Sequence, residues 1–178
     1  MSSSSTSTRH VAFFYGTLKY KFPNWAVVPP TVIFLGTART LRPHPLVVDT
    51  EMGVPYILPL PGHPHAQNIH GELYSMTSEE AEALDRFEGV PIDFYYRAEL
   101  DVVVTASEDG RTPQPNPVDG QLLKPDSVLP SATYFRGRGG ASWAQKWSVE
   151  RLQTLPMKSM YTIQDVEEYI PQHKRLNG

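Results

Sequence analysis

Asn68-Ile69-His70-Gly71-Glu72-Leu73-Tyr74-Ser75-Met76-Thr77-Ser78-Glu79-Glu80-Ala81-Glu82-Ala83-Leu84-Asp85-Arg86-Phe87-Glu88-Gly89 carries a strand and a helix back to back. Up to Met76 the residues alternate, with Ile69, Gly71 and Leu73 against His70, Glu72 and Tyr74, so one face points to a core. At Thr77 the period changes. Thr77 can cap a helix and Glu80 stands three residues on, which together predict a capping box. Ala81, Leu84 and Phe87 then share one helical face, and Gly89 suits a left-handed stop.

Working outward, no other segment predicts a helix as strongly. Val11-Ala12-Phe13-Phe14-Tyr15, ended by Gly16, reads as a buried strand and a tight turn. Thr31 to Leu41 is a second β-rich run with Gly36 as a bulge or bend. Pro45 to Val48 and Pro55 to Leu58 are short strands with proline at the start, where no ladder donor is lost. Tyr95 to Thr105 and Ala132 to Arg136 complete the strands. Short helices are expected at about Ser142 to Gln153 and about Ile163 to Tyr169. Strands outnumber helices and do not alternate regularly with them, so an α+β fold fits better than a doubly wound parallel sheet. The expectation is a small mixed or antiparallel β-barrel with one principal helix packed on it.

The 178 residues suffice for one domain, expected over 11–178. Before it, 1–10 is Ser/Thr-rich without the apolar stretch of a signal peptide and is expected to be a flexible tail. Seventeen prolines are about twice ordinary usage. Six fall between Pro43 and Pro64 and five between Pro113 and Pro130. The second group marks 106–130 as a long Pro-rich loop insertion, and both are expected to wall the mouth of the barrel. A net charge of −3 gives no basic face, so no nucleic-acid partner is expected. No apolar run reaches the 18 residues of a membrane span, so no membrane partner is expected either. Cysteine is absent, which removes disulfides, a thiol nucleophile and thiolate metal sites. A cytoplasmic, monomeric protein is the expectation.

Nucleotide, serine-hydrolase and zinc-protease signatures are all missing. His63, His65 and His70 fall in or beside a Pro/Gly loop and read as solvated, so no metal is assigned. Arg136-Gly137-Arg138-Gly139-Gly140 reads as a turn after a strand. Two segments remain. In Phe14-Tyr15-Gly16-Thr17-Leu18-Lys19, a strand ending at Gly lets successive backbone N–H groups converge on an anion or a polarised carbonyl. In Leu84-Asp85-Arg86-Phe87-Glu88-Gly89-Val90-Pro91, the helix dipole and the apolar flanks Phe87 and Val90 would raise the pKa of Glu88, as a general acid/base needs. On these residues alone, a common turn and a solvent-facing glutamate remain open readings.

Taken in order, Tyr15 to Lys19, Pro23-Asn24, Gly71-Glu72-Leu73-Tyr74, Leu84-Asp85-x-Phe87-Glu88 and Tyr95-x-Arg97 form a set. With Arg42-Pro43-x-Pro45-Leu46-Val47-Val48, the set resembles the γ-glutamylcyclotransferase-like (AIG2-like) family, in particular its γ-glutamylamine cyclotransferase branch, over about residues 11 to 136. The resemblance implies a β-barrel with its active site at one mouth. It implies that Tyr15, Gly16, Thr17 and Leu18 hold the glutamyl or 5-oxoproline end, that Glu88 is the catalytic carboxylate, and that Tyr95 belongs to the site. The implied substrate is a small γ-glutamyl amine, and no cofactor is implied.

Overall fold

Alternating apolar residues along nearly every strand divide the interior in two, and the division dictates the architecture. In a computed structural model, which describes residues 8–107 and 109–175, seven strands form one sheet. They are β1 (Arg9–Phe14), β2 (Ile33–Thr40), β3 (Leu46–Val48), β4 (Pro55–Ile57), β5 (His70–Thr77), β6 (Tyr95–Thr105) and β7 (Val128–Arg136). Their order is β1-β5-β2-β6-β7-β4-β3, and a parallel β1–β7 pairing closes the first five strands into a barrel. The β3–β4 hairpin extends from β7 through a parallel β4–β7 contact. All other pairings are antiparallel, so the barrel is mixed, as expected.

Phe13, Leu35, Leu73, Val102, Val104 and Phe135, at least one from each of the five barrel strands, fill the inner cluster. Their chain neighbours Ala12, Phe14, Tyr74, Met76 and Tyr134 turn outward into a second cluster with Ala81, Leu84 and Trp147. The strand β5 is therefore buried on both faces from Glu72 to Met76, rather than on one. The helix α1 (Ser78–Phe87) covers part of this outer layer. The capping box of Thr77 and Glu80 starts it and Gly89, with φ of 71°, ends it.

Several boundaries differ from expectation. The first strand begins at Arg9, because Arg9 and His10, expected in the tail, pair with Thr77 and Met76. The tail's residues 1–7 lie outside the described residues. The last strand starts at Val128, four residues early, because the long β6 offers a partner as far as Val103; Pro130 sits in it opposite Asp101. Between β6 and β7 the described residues form no regular element, yet Arg111 anchors the segment. The Arg111 guanidinium donates to Glu72 (2.7 Å) and Tyr74 (2.8 Å) and lies over the Phe34 ring, 3.9 Å from its centroid. The C-terminal region breaks into four short helices, α2 (Ser142–Gln145), α3 (Val149–Leu152), α4 (Ile163–Glu167) and α5 (Gln172–Arg175). No helix among the described residues is long and apolar enough to cross a membrane.

The Arg136 to Gly140 segment is a packed turn. The side chain of Arg136 is fully buried and donates to the carbonyls of Phe94, Gly137, Gly139, Ala144 and Trp147. It ties the start of β6 to α2 and has no N–H exposed for an outside partner.

Candidate active site

The buried strand β1 delivers Tyr15 to Leu18 to one end of the barrel, and the chain must turn there. The turn is closed by Lys19 N–H donating to the Gly16 carbonyl (3.2 Å) and Asn24 N–H to the Thr17 carbonyl (2.9 Å). Those bonds hold the carbonyls within the loop. The N–H groups of Gly16, Thr17 and Leu18 are left without an acceptor among the described residues. Three consecutive free amides at a cavity form a receptor for a carboxylate or a developing oxyanion. Glycine is needed at 16 for space rather than for a positive φ, since a Cβ there would lie 2.7 Å from Pro55. Tyr15 is braced from below, its hydroxyl donating to the Tyr134 carbonyl (2.9 Å).

Glu88 reaches the same cavity from the other side. It ends α1, its N–H still bonded to the Leu84 carbonyl (2.8 Å). The helix is held at its angle by Asp85, which accepts from the Tyr134 hydroxyl (2.8 Å) and pairs with Arg97 (3.3 Å). Thus Leu84-Asp85-x-Phe87-Glu88 and Tyr95-x-Arg97 are two halves of one joint. Tyr15, Gly16, Thr17, Leu18, Glu88 and Tyr95 all line one cavity, so every sequence-predicted site residue is brought together. The Tyr95 hydroxyl donates to the Pro55 carbonyl (2.7 Å), which makes Tyr95 a wall of the cavity and fixes Pro55 against Gly16.

The Glu88 carboxyl has no hydrogen-bond or ion-pair partner among the described residues. The residue keeps some open surface toward the cavities, but protein surrounds its carboxyl on the remaining sides. Burial pushes its pKa up to about 8, and the charge of Arg175 acts in the opposite sense. The direction is the one expected, and desolvation, the effect expected of the apolar flanks, is its largest cause. Tyr15 and Tyr95 are likewise raised, chiefly by burial. All three groups are therefore held neutral more readily than in water.

Sequence reasoning missed the other side of Glu88. A second cavity joins Thr17, Glu88 and Tyr95 to Asn24, Tyr169 and Arg175. Asn24 donates to Thr17 Oγ1 (2.9 Å) and to the Tyr169 hydroxyl (2.9 Å), which connects the Pro23-Asn24 motif to the loop and the C-terminal region to the site. Lys19, also buried, donates to the Tyr161 carbonyl (2.5 Å). Of the two proline-rich segments expected to wall the mouth, only the first reaches these cavities, through Pro55. The 106–130 segment lines neither, since Arg111 holds it over Glu72 and Phe34; the C-terminal segment takes that place. No sequence pattern in that segment signalled this. No group of three or more His, Asp or Glu suited to a metal occurs among the described residues.

Comparison with known proteins agrees with this arrangement. The model of the family described as "Gamma-glutamyl cyclotransferase, AIG2-like" matches residues 12–121. A gamma-glutamylaminecyclotransferase C of Danio rerio is 33% identical over 126 residues, covering 67% of this chain and 80% of that protein. A gamma-glutamylaminecyclotransferase of Bos taurus is 40% identical over 96 residues, covering 52% and 55%. A gamma-glutamylaminecyclotransferase B of Danio rerio is 38% identical over 91 residues, covering 49% and 46%, so the alignments with these last two span about half of each relative. The crystal structure of an AIG2-like protein of Mus musculus superposes with a TM-score of 0.64 at 26% identity, covering 86% of this chain and 88% of that one. Its solution NMR counterpart gives 0.63 at 27%, covering 93% and 99%. A barrel end where a free-amide loop and a half-buried glutamate line one cavity, a family model over most of the barrel and relatives of the same name together show that this chain belongs to the AIG2-like gamma-glutamyl cyclotransferase family.

Proposed function

We propose that the protein is a γ-glutamylamine cyclotransferase, converting a γ-glutamyl amine to 5-oxoproline and the free amine. The observation that carries this is the unpartnered Glu88 carboxyl facing three free backbone amides across one cavity. The names of the relatives support the substrate class. The glutamyl end binds in the Tyr15–Leu18 loop with Tyr95 as a wall. Near neutral pH the substrate α-amine is protonated and not nucleophilic. Ionised Glu88 takes one proton from it. The freed nitrogen attacks the γ-carbonyl carbon of the same glutamyl group and closes a five-membered ring. Loop amides stabilise the oxyanion of the tetrahedral intermediate. Glu88 then delivers its proton to the departing nitrogen as the old C–N bond breaks, and the carboxylate so regenerated takes the second proton from the ring nitrogen and passes it to the released amine, which leaves as the ammonium. Holding the two ends of the glutamyl group together supplies proximity, worth about 7–11 kcal/mol in well-aligned cases.

A pKa near 8 suits both halves of this cycle, because it lies close to that of an α-amine and proton transfer is nearly balanced each way. No metal or organic cofactor enters these steps. The substrate is a small molecule, with no nucleic acid or membrane involved, and the protein acts as a cytoplasmic monomer. Purified protein is expected to release 5-oxoproline from γ-glutamyl-ε-lysine. Glu88→Gln, which keeps the size and removes the proton exchange, should lower kcat by about 100- to 10,000-fold. Full activity in that variant would remove Glu88 from the mechanism.

A further inference from the structure

Glu88 stands between two compartments, and the reaction proposed above occupies only one. The first holds the free-amide loop. The second, bounded by Asn24, Tyr169 and Arg175, opens on the other side of the same carboxyl. Glu88 must touch both the glutamyl α-amine and the departing nitrogen. With the glutamyl end in the first compartment, whatever the nitrogen carries extends into the second. The notable group there is Arg175. Its guanidinium lies over two rings, 5.0 Å from the centroids of Trp143 and Tyr169, and its Nε donates to the Ile170 carbonyl (2.7 Å). No carboxylate among the described residues pairs with it. An arginine that lies over two aromatic rings and pairs with no carboxylate among the described residues is prepared for a two-pronged bond to an incoming carboxylate.

We propose that the second compartment is the amine-side subsite and that Arg175 selects amines carrying a carboxylate, such as an amino acid linked through its side-chain nitrogen. This rests on the reading of the reaction given above, and the test separates the two. γ-Glutamyl-ε-lysine and γ-glutamyl-cadaverine share the glutamyl group, the chain length and the distal ammonium, and differ only in the distal carboxylate. The wild-type protein should favour the lysine compound by roughly 10- to 100-fold in kcat/KM, the worth of one charge-assisted pair. Arg175→Gln should bring that ratio close to one, and Arg175→Lys should restore part of it.

Removing Arg175 also removes a charge near Glu88, but that affects both substrates alike and cancels in the ratio. A ratio that Arg175→Gln leaves unchanged overturns the proposal, including the case in which both substrates lose equally and Arg175 serves the shared glutamyl carboxylate. Binding is measured separately by titration calorimetry on Glu88→Gln protein, with and without Arg175→Gln. Carboxylate-dependent binding without 5-oxoproline release from wild type would sink the reaction while leaving the subsite. Equal turnover of both compounds by wild type, or no binding of either, would sink the subsite.

Discussion

Glu88 makes a prediction about stability that needs no substrate. Its carboxyl titrates near 4.5 in an unfolded chain and near 8 in the folded one. Because the folded value is the higher one, the folded state binds the extra proton between those limits. Below pH 4.5 Glu88 is neutral in both states and imposes no penalty. As pH rises above 4.5 the fold must either hold a proton that water would remove or bury a charge. The stability lost grows until pH passes 8 and then levels off. A difference of 8 − 4.5 = 3.5 pH units corresponds to at most about 5 kcal/mol at 1.36 kcal/mol per unit. The open surface beside the carboxyl makes this an upper bound.

Glu88→Gln removes the penalty without changing the shape. It should match wild type near pH 4.5 and be more stable above pH 8. At roughly 2–4 °C per kcal/mol for a chain of this size, the gap should reach about 10 °C. Thermal unfolding of both proteins at pH 5, 7 and 9 measures it. Other groups, including Lys19, whose pKa burial lowers to about 8, titrate identically in both proteins and cancel in the difference. A gap that stays constant from pH 5 to 9, or wild type the more stable at pH 9, would refute the buried-carboxyl argument. The same ionisation predicts a rising limb near pH 8 in the activity of the wild type, where Glu88 becomes a competent base.

Two other substitutions follow from packing. Arg136→Met strips the donors from five backbone carbonyls around the start of β6, and should lower the urea-derived unfolding free energy by about 3–5 kcal/mol; a loss under about 1 kcal/mol would mean that the turn holds without it. Gly71→Ala places a Cβ 2.5 Å from the Phe14 carbonyl and 2.7 Å from the Phe13 ring, so a loss of about 1–3 kcal/mol is expected, with reduced turnover because the shifted strand leads directly into Tyr15; wild-type stability would show that β1 yields freely there.

The site was partly legible because its two halves carry local signals. Gly16 ends an apolar run, and Thr77, Glu80 and Gly89 mark both ends of the helix that presents Glu88. What could not be read was anything made by contact between distant segments. Asp85 and Arg97 each stand in a recognisable motif, but their pairing follows only once α1 lies across β6 and β7. Tyr169 stands just beyond α4 and Arg175 in the four-residue α5, neither with any periodicity, and they reach Glu88 because Asn24 and Trp143 hold them there. Arg111 likewise lies in a proline-rich stretch that predicts no order; Glu72 and Phe34 supply it.

Alternation, capping and the position of glycine act within a few residues, so the chain by itself determined the strands, the principal helix, the loop of free amides and the placing of Glu88 at a helix end. Barrel closure by β1 against β7, the dry surroundings that raise the Glu88 pKa and the Arg175 compartment depend on groups more than a hundred residues apart. Those were decided by the tertiary structure alone, because burial and long-range pairing depend on which surfaces meet, and no local pattern encodes that meeting.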